Sequence, residues 1–80
     1  MKKGTVREVL NRIMYTASEE EKPEYRIVII DRSSPSGLRE IEFSRVTRVT
    51  SRYLYLGESV VIPLHRVVEI KHLGKTVWCR

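Results

Sequence analysis

The chain holds one cysteine, Cys79, in 80 residues, which excludes an intramolecular disulfide and a cysteine-rich zinc site. Glutamine is absent and asparagine occurs once, as Asn11, while Arg, Glu, Ile and Val are plentiful, a bias that suits a thermophile. No apolar run approaches the ~20 residues of a spanning helix. The start MKKGTVREVLNR lacks the apolar segment of a signal peptide, so a cytoplasmic protein with no membrane partner is expected. There is no glycine-rich phosphate loop, and the aromatic motifs of RNA-recognition sheets are missing. The two histidines, His65 and His72, have no further His, Cys or carboxylate at metal-ligand spacing, and the serines have no evident base and orienter. No metal, no cofactor and no catalytic residue is therefore expected.

What is present fits one domain at positions 1–80, because a chain of this length buries only about 60–65% of its unfolded surface and cannot support two cores. Hydrophobic residues make up 41% of it, enough for unaided folding, and 31% are charged, enough for solubility. The net charge of +5 understates an asymmetry: four of the ten acids sit in SEEEKPE, at Glu19, Glu20, Glu21 and Glu24. From residue 44 onward, seven basic residues face only Glu58 and Glu69. A basic surface attracts a phosphate backbone by releasing its counterions, which points to a polyanionic partner such as RNA.

Thr5 to Tyr15 reads as an amphipathic helix. TVRE is a capping box, and Val6, Val9, Leu10, Ile13 and Met14 recur on one face. Arg7, Asn11 and Arg12 lie on the other side, and Lys2 and Lys3 add charge near the start. TASEEEKP is an exposed connection. A string of short strands follows: EYRIVIIDR, a turn at SSPSG, LREIEF, a hairpin turning at Gly57-Glu58 and a second turning near Leu73-Gly74. With no second helix to serve as a crossover, the sheet is expected to be mainly antiparallel.

A weak internal repeat adds detail. IEFSRVTRVTS (41–51) aligns with IPLHRVVEIKH (62–72), pairing Ile41 with Ile62, Phe43 with Leu64, Arg45 with Arg66, Val46 with Val67 and Val49 with Ile70. The apolar spacing begins at two and passes to three, the signature of a strand, a tight 3₁₀-like turn and a second strand. The expected fold is α+β: an N-terminal helix packed on a strongly curved, mainly antiparallel sheet or small barrel of five to seven short strands.

Several residues admit both a structural and a binding role. His65 and Arg66, fixed at a corner by Pro63, suit a phosphate, or else close the turn and pair with Glu69. Asn11 and Arg12, at the polar edge of the helix, either perform a hydrogen-bonding task or are boundary residues. Trp78, Tyr15, Tyr53 and Tyr55 could stack bases, although Trp78 between Val77 and Cys79 fits a core strand better.

The segments VLNRIMY, IPLHRVVEIK and GKTVWCR resemble, in order and spacing, the small archaeal family called the RNA cyclic group end recognition domain, and the resemblance spans nearly the whole chain. That family occurs alone in archaea and fused to RNA-processing or RNA-repair domains in eukaryotes. The resemblance implies a non-catalytic module that binds RNA ends bearing a 2′,3′-cyclic phosphate. It places the site at Asn11, Arg12, His65, Arg66, Trp78 and Arg80. RNA, as an end or a single strand, is the implied partner, together with RNA-processing proteins. Two positions depart from the family pattern: Thr16 and Cys79 stand where acids are usual. Two other functions fit the residues, an assembly module that pairs exposed strand edges and a phosphoesterase acting on cyclic phosphates.

Overall fold

Helix α1 (Val6–Thr16) begins where Thr5, in extended conformation, accepts a hydrogen bond from the Glu8 amide at 3.2 Å through its hydroxyl. It ends where Ala17 turns extended while its amide still donates to the Ile13 carbonyl at 2.9 Å. The computed structural model describes residues 5–57 and 59–80; Lys2, Lys3 and the Glu58 half of the expected Gly57-Glu58 turn lie outside them. Leu10 and Ile13 are the buried members of the apolar stripe, each contributing about 1.5–3 kcal/mol by leaving water. Among the described residues no helix is long and apolar enough to cross a membrane.

The connection after α1 is mostly exposed, as expected, and is closed by its own capping pair. Ser18 and Glu21 exchange backbone-to-side-chain bonds of 3.2 Å each, and a short 3₁₀ turn at Lys22–Glu24 leads into the first strand. Seven strands follow: β1 (Tyr25–Ile30), β2 (Leu38–Glu42), β3 (Val46–Val49), β4 (Tyr53–Leu56), β5 (Val60–Pro63), β6 (Val67–His72) and β7 (Lys75–Cys79). Every pairing is antiparallel. They form two sheets, β2-β1-β6-β7 and β3-β4-β5. This corrects the expectation of one curved sheet or a small barrel: the described strands divide into two sheets and do not close into a barrel.

The division has a local cause. Between β2 and β3 lies a 3₁₀ turn at Phe43–Arg45, and between β5 and β6 another at Leu64–Arg66, so each of these two chain segments bends and passes from one sheet into the other. The backbone repeats closely: Glu42 and Pro63 precede the turns at φ −70° and −62°, and Val46 and Val67 follow them at −75° and −74°. A proline fits the second corner because its ring holds φ near the value required there. In a 3₁₀ turn the side chains at i and i+3 eclipse. Phe43 and Val46 are therefore both buried, as are Leu64 and Val67, whereas Ser44-Arg45 and His65-Arg66 are left outside.

The core lies between the sheets and under α1. Across the larger sheet the register aligns Ile41, Ile27, Ile70 and Trp78, all buried, in one row. Leu54 and Ile62 face them from the smaller sheet. At the β6–β7 hairpin, Leu73 and Gly74 both have positive φ, 52° and 83°, the two-residue turn that matches strand twist. His72, at the end of β6, stacks on Tyr25 with ring centroids 4.2 Å apart and meets the Glu24 carboxylate at 3.0 Å.

Candidate nucleic-acid interface

The second corner is tied down on each side. Leu64 is buried and its amide donates to the Arg52 carbonyl at 2.9 Å; Val67 is fully buried. His65 and Arg66 thus project from a short segment whose flanking residues cannot shift without opening the core. The Arg80 amide donates to the Val68 carbonyl at 2.9 Å, which brings the chain's last residue alongside this corner.

Three neighbouring clefts meet here. The first, about 350 Å³, is lined by the start of α1 (Thr5 to Glu8), Ser51, Leu64, His65 and Arg80. The second, about 450 Å³, lies between the β1–β2 loop and the corner, lined by Ile30, Asp31, Arg32, Ser33, His65 and Arg66. The third, about 210 Å³, carries Arg39, Arg45 and Arg66 beside Ile30, Asp31 and the β5 residues Val60 to Pro63. His65 is shared by the first and second clefts, and Arg66 by the second and third. The three therefore adjoin at the corner, and together they are called the groove below.

Six of the ten arginines line this groove, Arg7, Arg32, Arg39, Arg45, Arg66 and Arg80, against two acids, Glu8 and Asp31. Among the described residues the ion pairs are Lys22–Glu19, Lys71–Glu40 and His72–Glu24, and none uses an arginine. Asp31 is itself committed to its loop. Its carboxylate accepts from the Ser33 hydroxyl at 2.6 Å and the Ser33 amide at 3.0 Å. Those bonds hold its pKa below the usual carboxylate value, with a smaller pull from Arg39 and Arg66. The groove is therefore a row of guanidinium groups that, among the described residues, make no ion pair. Guanidinium forks match phosphate oxygens two at a time, so the arrangement suits a chain of phosphates.

The sequence-derived candidates fare unequally. His65, Arg66 and Arg80 come together, and Arg45, the equivalent of Arg66 in the repeat, lines the third cleft with it. Asn11 and Arg12 line none of the three clefts. Arg7 and Glu8, one turn earlier on the same helix stripes, stand beside His65 instead. Trp78 is only 8% exposed and belongs to the core cluster. No aromatic residue lines any of the three clefts; Tyr15 is exposed elsewhere, and Tyr55 lies under the Arg48 guanidinium at 5.8 Å. Sequence reasoning missed Arg32, Arg39 and Asp31, and it treated Arg7 as a solvated helix charge.

The chain matches, over residues 1–80, the family model described as the MJ1316 RNA cyclic group end recognition domain. A UPF0248 protein of Metallosphaera sedula is 43% identical over 76 residues, which cover 95% of this chain and 92% of that relative. A UPF0248 protein of Saccharolobus islandicus is 44% identical over 79 residues, covering 94% and 98%. One of Saccharolobus solfataricus is 40% identical over 67 residues, covering 82% of each. No solved structure matches it.

Proposed function

The chain belongs to the RNA cyclic group end recognition domain family, and from that premise we propose that it is a non-catalytic module that holds the phosphate-bearing end of an RNA strand. The observation that carries this reading is the corner, where His65 and Arg66 form the shared walls of adjoining clefts lined by six arginines that make no ion pair among the described residues. The terminal phosphate sits against His65 and Arg66, where an imidazole donor and a guanidinium fork reach one group from a rigid base. Arg7, Arg32 and Arg80 add attraction along the strand, and contacts of this kind position without reading sequence. Phosphate capture is supported by the groove, and the preference for a 2′,3′-cyclic end by the family alone. Such an end carries a single negative charge and no free hydroxyl, so discrimination rests on shape and on which donors are left unpaired.

The test is fluorescence anisotropy with one oligonucleotide ending in 2′,3′-cyclic phosphate, 3′-phosphate or hydroxyl. The cyclic end is expected to bind most tightly, and Arg66→Ala to remove the difference. Equal affinities for the three ends would sink end recognition and leave general RNA binding. The same samples, run on a gel after incubation, should keep their cyclic group intact; turnover lost in His65→Ala would show a phosphoesterase instead.

A further inference from the structure

The third cleft carries three of the groove's six arginines. Beside Arg39, Arg45 and Arg66 it presents Ile30, Val60 and Val61, which are 42%, 45% and 47% exposed although the core runs directly beneath them. Val60 and Val61 lie opposite Leu56 and Tyr55, on the two faces of β5, so aliphatic groups flank the β5 edge beside a cationic rim, a surface for a ligand with an apolar ring and one anionic group. At about 210 Å³ the cleft is smaller than the roughly 300–1,000 Å³ of a drug-sized pocket, a volume suited to a single planar ring. It also adjoins the cleft that holds His65, since Ile30, Asp31 and Arg66 line both.

We propose that the third cleft is a nucleobase pocket, in which the base of the RNA's last nucleotide packs against the aliphatic side chains that flank the β5 edge while Arg66 holds that nucleotide's phosphate. The inference rests on the phosphate-end reading above and adds a base to it. The two corner arginines divide the work. Arg66 faces both clefts and takes the phosphate, and Arg45, which faces only the third, lays its guanidinium along the base plane. Aliphatic side chains and a guanidinium accept any base, because every base has a π-face. The protein therefore distinguishes a terminal nucleotide from a bare sugar phosphate without choosing among the four bases.

The experiment compares two short RNAs, each with the same 2′,3′-cyclic phosphate end, whose last nucleotide carries adenine in one and is abasic in the other. The adenine RNA is expected to bind about tenfold more tightly, the lower range of what stacking one base contributes. The double variant Val60→Thr/Val61→Thr keeps strand-forming side chains on exposed positions and is checked for folding by thermal melting. It is expected to shrink the gap to under about threefold while the preference among end chemistries persists. Equal binding of the two RNAs by the unaltered protein, with that end preference intact, overturns the pocket and leaves the functional reading standing. Loss of end preference with the gap retained does the opposite. If the double variant leaves the gap unchanged and lowers the sedimentation mass, the valines join copies of this chain along the β5 edge, and the pocket is overturned.

Discussion

Arg66→Ala removes the one arginine that lines two clefts, and the structure sets the size of its effect. A strand that occupies all three clefts places about three phosphates in the groove, and single-stranded nucleic acid releases about 0.7 counterion per phosphate neutralised. The logarithm of affinity should then fall with the logarithm of salt at a slope near −2, or roughly twentyfold between 50 and 200 mM salt. Without Arg66 one phosphate loses its charged partner and the slope should relax to about −1.4. The loss of a charge-assisted bond, about 1.5–3 kcal/mol, weakens binding roughly tenfold to a hundredfold at low salt. Anisotropy titrations at four or five salt concentrations measure both quantities. Arg48→Ala is the control, since that guanidinium lies over Tyr55 and lines none of the clefts, and it should leave the slope unaltered. An Arg66→Ala slope equal to that of the unaltered protein, or an Arg48→Ala slope that changes as much, would refute the placement of the phosphates.

Leu64→Ala should destabilise the protein by about 2–4 kcal/mol in urea titrations, because the residue anchors the second corner at 6% exposure; a loss under about 0.5 kcal/mol would mean the corner is held by other contacts. Asp31 has a folded-state pKa below its unfolded value, so its contribution to stability is present above about pH 4 and disappears as pH falls through the lowered value. Asp31→Asn should flatten that acid limb in thermal melts between pH 2 and 6, and an unchanged limb would assign it to other carboxylates. Leu73, exposed and at φ 52°, is a branched residue in the left-handed region; Leu73→Asn creates the preferred Asn-Gly turn and should raise stability by about 0.5–1 kcal/mol, a gain that a lowered Tm would contradict.

The corners were legible because their chemistry is local. Ile41, Phe43 and Val46 repeat as Ile62, Leu64 and Val67, and the change of spacing from two to three is the change from strand to 3₁₀ turn. The helix was legible for the same reason, through Thr5 and its stripe. What could not be seen was how far each bend carries the chain: a curved sheet, a barrel and two sheets share the same local pattern, and only the pairing of β1 with both β2 and β6 decides among them. The site was half visible. His65, Arg66 and Arg80 stand in segments that resemble the family, but Arg39 reaches the groove through its register opposite Ile29, and Arg32 through the loop closed by the bond from the Asp31 amide to the Gly37 carbonyl. Neither has a periodicity to betray it. Asn11 and Arg12 also stand in a segment that resembles the family, but the first cleft receives the start of the helix, a matter of how α1 sits on the sheets.

Because the bend carrying His65 and Arg66 is a stretch of chain common to both sheets, it has no hinge of its own. Opening it means parting β5 from β4 and β6 from β1 together, so the amides around Leu64 and Val67 should exchange hydrogen as one cooperative unit with the core and not as a soft loop. A ligand would then meet a surface set before contact, and association would require diffusion and steering without a folding step at the bend. That rigidity also fixes how far apart the groups on the two bends can be, which limits the ligand ends that can touch both at once.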